Sequence, residues 1–123
     1  MKFTASVIEP FANSTTANML FADPETDPDA PSVLSFSRAI DIPNSAYYFE
    51  INDQSYGSYE GLERVKLSRN SVEIRVSDKV IEKFGVEDFR EVTAEFEVDD
   101  ELYQSISKMM RIIFDGFERY QEI

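Results

Sequence analysis

The chain has 123 residues, 42% hydrophobic and 13% aromatic, enough core material for one folded domain over residues 1–123 without disulfides or metals. Twenty-four acidic residues against twelve basic ones give a formal charge of −12, which disfavours nucleic acid and anionic membrane as partners and favours basic proteins. Cysteine and histidine are both absent, which removes thiol chemistry, Ser-His-Asp and Cys-His triads and nearly all zinc sites.

Residues 2–9 alternate, with Phe3, Ala5 and Val7 on one face and Lys2, Thr4 and Ser6 on the other, which predicts a half-buried strand. After a turn over residues 12–16, Asn18 to Ala22 reads as a second short strand. Asp23 to Pro31 holds three prolines and four acids, and is expected to be a solvated loop. Ser32 to Ile40 is a strand with Leu34, Phe36 and Ile40 inward. Arg38 falls on the same apolar side, where its stem can pack while its head reaches water. Beyond a break at Pro43-Asn44, Tyr47, Phe49 and Ile51 share one face of a strand and Tyr48, Glu50 and Asn52 the other. An aromatic on each face suggests cover on both sides.

A loop is expected from Asp53 to Gly61. Val65 and Leu67, then Val72, Ile74 and Val76, form the clearest hairpin, turning at Arg69-Asn70-Ser71 with Lys66, Glu73 and Arg75 on a solvated face. Asp78 is the expected N-cap of a short helix closed by Gly85. Arg90 to Val98 alternates as a strand. Asp99-Asp100-Glu101 then opens a helix whose stripe is Leu102, Ile106, Met109, Met110 and Ile113. Gly116 ends it, leaving residues 117–123 as a tail or capping turn. The predicted fold is α+β: about seven strands, nearly all antiparallel because their connections are short, against a C-terminal amphipathic helix, plus one short helix.

No residue reads as catalytic, and no cofactor or metal site is expected. The acids Asp23, Glu25, Asp27 and Asp29 lack the turning glycine and later bidentate Glu of a calcium loop. Gly57 and Gly61 match no phosphate-loop spacing. No carboxylate pair stands out for glycoside chemistry, and there is no sugar-stacking Trp. Binding is the better reading. Tyr56 and Tyr59 sit in a Gly- and Ser-containing loop with Asp53, Glu60 and Glu63, a set suited to contacting Arg or Lys of a partner. The alternative is that both rings fold back over a sheet end. The acidic loop Asp23, Glu25, Asp27 and Asp29 is a second landing patch. Met1-Lys2-Phe3 opens directly into strand-like sequence, and no long apolar run follows, so a cytoplasmic protein is expected.

The block from Tyr47 to Ser77 carries a Tyr-x-Glu-x-x-Asp-Gln core, a Tyr-Gly, Gly-Leu-Glu-x-Val loop and a Leu-Ser-Arg-Asn-Ser hairpin. A short helix, the acidic strand EVTAEFEV and an Asp-Asp-Glu helix start with MMRIIF near its end follow. These features, over roughly residues 45–116, resemble the immunity protein 10 family. The Asp23–Pro31 loop has no counterpart in the resemblance. The resemblance implies a cytoplasmic immunity protein of a bacterial polymorphic-toxin or contact-dependent inhibition system, which binds a cognate toxin domain and blocks it. Charge adds the expectation that the toxin is basic, such as a nuclease. An acidic regulatory module for another basic protein, or a small carboxylate-dependent enzyme, are the other readings.

Overall fold

The computed structural model describes Met1–Ile123. Its strands are β1 (Lys2–Thr4), β2 (Val7–Ala12), β3 (Thr16–Asp23), β4 (Ser32–Ala39), β5 (Tyr47–Ile51), β6 (Asp53–Ser58), β7 (Leu62–Ser68), β8 (Ser71–Val76), β9 (Glu91–Glu95) and β10 (Tyr120–Glu122). Its helices are α1 (Asp78–Phe84) and α2 (Asp100–Ile113), with a 3-10 turn at Glu87–Arg90. The class is α+β, as predicted, but with ten strands in two sheets. Sheet I has the order β1-β9-β8-β7-β10 and sheet II the order β2-β3-β4-β5-β6.

The predicted first strand is two strands. Ala5 donates to Glu95 O in sheet I and Ser6 to Ala22 O in sheet II, so the chain changes sheets between adjacent residues. The bend inverts the alternation: Phe3 and Ala5 face the core, whereas Ile8 takes the inward role across from Phe21 and Val7 lies on the outer side. Two pairings are parallel, β1 with β9 and β10 with β7, against the antiparallel expectation. Both use short terminal strands that no tight turn could have brought together. The segment expected as a tail is thus partly strand β10, held where Val65 N donates to Arg119 O and Ile123 N to Leu67 O.

The expected loop over residues 53–61 is mostly strand β6. Asn52 adopts φ 66°, a left-handed turn position that Asn tolerates, and its side chain accepts from Val33 N at 3.0 Å. The chain reverses there and pairs Glu50 with Gly57 and Phe49 with Ser58. The predicted hairpin is present with its charged face: Lys66 lies 3.6 Å from Glu73, and Arg75 3.4 Å from both Glu63 and Glu91.

Ser77, not Asp78, caps α1, because its Oγ accepts from Val80 N while its own backbone is still extended. Gly85 closes the helix at φ 72°. The strand expected from Arg90 is shorter, since residues 87–90 form the 3-10 turn and β9 ends at Glu95. Asp99 caps α2 through Leu102 N at 2.8 Å. Ile106, Met109, Met110 and Ile113 of the predicted stripe are buried, with Leu102 at the margin. Both sheets and both helices feed one core cluster of 27 residues, so this is a single domain. No helix is long and apolar enough to cross a membrane.

Arg38 is explained by α2. Its Nη1 donates to Ile113 O at 3.2 Å and Asp115 O at 2.7 Å, carbonyls left free where the helix ends. The head therefore serves the helix terminus, while the stem lies on the inward side of β4.

Candidate functional site

Tyr56 and Tyr59 have different environments. Tyr56 projects from β6 onto Phe84 and Phe89, ring centroids 5.9 and 5.0 Å apart, and joins the core margin. Tyr59 is 69% exposed and meets Tyr48 edge-to-face at 4.8 Å. Asp53 is exposed and holds its own turn by accepting from Ser55 N at 2.7 Å. Glu60 lies 3.4 Å from Lys79, and Glu63 points to Arg75 on the outer face of sheet I, turned away from Tyr59's neighbours. In the acidic loop, Asp23 accepts from Glu25 N and Thr26 N, and Asp27 from Asp29 N, so these carboxylates brace the loop. Hydrogen bonding from Thr26 holds the Asp23 carboxyl below its ordinary range. Asp23, Glu25, Asp27 and Asp29 do not converge with other acids into a metal-holding group. The nine residues singled out in the sequence do not form one patch.

The structure instead assembles a face from residues far apart in sequence. On the outer side of sheet II, cross-strand neighbours run Phe11, Asn18, Ser37, Tyr48 in one row. The next row runs Glu9, Leu20, Ser35, Glu50, ending at Gly57. Neutral residues, Asn18, Leu20, Ser35 and Ser37, thus occupy the middle, with an aromatic and a carboxylate at each flank. Phe11 is 56% exposed. Gly57 carries no side chain because a Cβ there would run into the Tyr48 ring, which lies across it. Tyr48 Oη donates to Glu50 Oε1 at 2.8 Å. Burial, then the bond and charge of Glu50, push the Tyr48 phenol up to about 12, so it remains a donor at neutral pH.

The two sheets differ in how their charges are paired. Every ion pair in the molecule uses residues outside 3–59. Residues 7–58, which build sheet II, carry eight carboxylates (Glu9, Asp23, Glu25, Asp27, Asp29, Asp41, Glu50 and Asp53) and one cation, Arg38. That leaves seven of the twelve excess negative charges on this half, and the one cation is bonded to the end of α2. Sheet I presents a solvated face of paired charges, whereas sheet II presents unpaired carboxylates among neutral and aromatic groups.

Phe11, Tyr48 and Glu50 had no site role in the sequence reading. The available signal was the aromatic on the second face of β5, which cover on both sides would also explain. Comparison of the chain with family models, with curated proteins and with solved structures finds no match.

Proposed function

We propose that this protein is a cytoplasmic immunity protein: a stoichiometric binder that neutralises a basic toxin domain, such as a nuclease, by contact and without turnover. The observation that carries the reading is the segregation of charge. Residues 7–58 hold seven of the twelve excess negative charges and take part in no ion pair, so the negative field is strongest over this half of the domain. Such a field orients a cationic partner before contact and raises the association rate. A nuclease cleft is cationic because it must hold phosphate, so it is the kind of surface this half would cover. The resemblance of residues 45–116 to immunity protein 10 sequences points the same way.

The test is co-expression with the toxin domain encoded immediately upstream of this gene. The expected result is a one-to-one complex and restored growth of cells carrying the toxin. A toxin domain that neither co-purifies with the chain nor is neutralised by it refutes the proposal. Within a complex, raising ionic strength should slow association far more than it speeds dissociation.

A further inference from the structure

The partner's docking chemistry follows from the open face of sheet II, and this inference rests on the reading of the protein as a binder of a basic protein. The face has a groove of about 610 Å³ at its β5–β6 side, lined among others by Ser37, Ile42, Tyr48, Glu50, Gln54 and Tyr59. Within it Glu50 is a half-buried carboxylate with no cationic partner in the chain. Its Oε1 accepts from Tyr48, and no hydrogen bond occupies Oε2.

Several other acids are already engaged within the chain. Glu60, Glu63, Glu73 and Glu91 each face a Lys or Arg of the chain, and Asp23, Asp27 and Asp53 hold their own turns. Arg38 borders the groove, but its guanidinium is drawn to the α2 carbonyls.

The geometry points to the open face of sheet II as the docking surface for a basic protein domain, with Glu50 receiving an arginine side chain of that partner beside the Tyr48–Tyr59 pair. Arginine suits the site better than lysine. A planar guanidinium can bond a carboxylate through its fork while lying against an aromatic ring, whereas an ammonium is a compact and strongly hydrated point charge. Tyr59, largely exposed and already in contact with the Tyr48 ring, is placed to close over such a side chain. Ser35 and Ser37 keep β4 low on this face, so a convex partner loop can approach the backbone there, with Leu20 beside it as an apolar contact. Phe11 and Glu9 offer a second aromatic and carboxylate at the far strand. The acidic loop at residues 23–31 then contributes to steering, and contact is made on the sheet.

The experiment titrates the full chain with an arginine–glycine repeat peptide and its lysine–glycine counterpart, following backbone amide shifts by NMR. Shifts are expected in β4–β6 and little on sheet I, with the arginine peptide bound more tightly. Glu50→Gln keeps a hydrogen-bonding side chain beside Tyr48, and together with Tyr59→Ala it should leave the melting temperature nearly unchanged. Each should weaken the arginine peptide about tenfold. Glu73→Gln, on the opposite sheet, should change its affinity less than twofold. Shifts spread over both sheets, equal effects of Glu73→Gln and Glu50→Gln, or no detectable binding at low ionic strength would overturn the inference. The outcomes separate from those above. A toxin complex that survives Glu50→Gln and Tyr59→Ala leaves the immunity reading standing and removes this surface. Localised arginine binding without toxin neutralisation does the reverse.

Discussion

Replacing Arg38 with Met keeps an apolar stem of similar length and removes the guanidinium, which ties β4 to the end of α2 and also donates from Nε to Ser45 Oγ at 3.3 Å. Two carbonyls lose a charged donor, Ile113 O and Asp115 O. Hydrogen bonds to charged groups contribute about 1.5–3 kcal/mol each. The Asp115 bond is exposed, so water can replace part of it and the lower end applies. A cation at a helix C-terminus adds about 0.5 kcal/mol through the helix dipole. The expected loss is therefore about 3 kcal/mol, equivalent to a fall of roughly 10 °C in melting temperature for a domain of this size. Urea unfolding should show a lower midpoint with an unchanged slope, because the surface exposed on unfolding hardly differs. Amide exchange should accelerate most at Phe114, whose N–H bonds Met110 O in the last turn. Arg38→Lys should recover about half the loss, since a more strongly hydrated ammonium can reach these carbonyls but has no Nε–H to bond Ser45 at the same time. A loss under about 1 kcal/mol, or complete recovery with lysine, would refute the view that Arg38 ties the helix end to the sheet.

Tyr56→Ala should cost about 2–3 kcal/mol in urea unfolding, by removing a ring packed on Phe84 and Phe89, while Tyr59→Ala should stay within about 0.5 kcal/mol. Equal losses would mean that the structural separation of the two rings is wrong. Tyr47→Phe leaves the Leu62 N–H without the phenol oxygen it bonds at 3.0 Å. The expected cost is about 1–2 kcal/mol, and a variant as stable as the parent would show that another acceptor reaches that amide. Burial opposes the charge of Glu122, but hydrogen bonds from Arg111, Tyr120 and Ser107 outweigh it and hold the carboxyl below its ordinary range. Its folded pKa being depressed, its contribution is complete above the unfolded carboxylate range and is lost as pH falls through the folded value. Glu122→Gln should therefore destabilise the protein at pH 7, with the gap to the parent closing below about pH 4. A gap independent of pH would show that ionisation of Glu122 is not what fastens β10.

The candidate site was only partly legible in the sequence. Tyr56 and Tyr59 looked equivalent because they are three residues apart in one polar stretch. Asn52 turns the chain one residue after Ile51, and the strand that follows points Tyr56 inward and leaves Tyr59 beyond its end. Glu63 sat near them in sequence, yet β7 belongs to the other sheet and carries it to the opposite side. Glu50 and Phe11 could not be grouped from local spacing, because three pairings of non-adjacent strand positions lie between them. Low strand propensity in the Gly- and Ser-containing β6 hid that strand, and its pairing with β5 overrides the propensity.

By itself the sequence determined the class, the hairpin of β7 and β8, the apolar stripe of α2 and the scarcity of cations before residue 64. Alternation, helical spacing and charge are local properties, readable without knowing what lies opposite. Only the tertiary structure decided that there are two sheets, that β1 and β10 join one of them in parallel, and that Arg38 serves a helix end seventy-five residues away. It also decided which carboxylates find cations. Those outcomes depend on pairing between distant segments, which the burial of one shared core selects and no local pattern records.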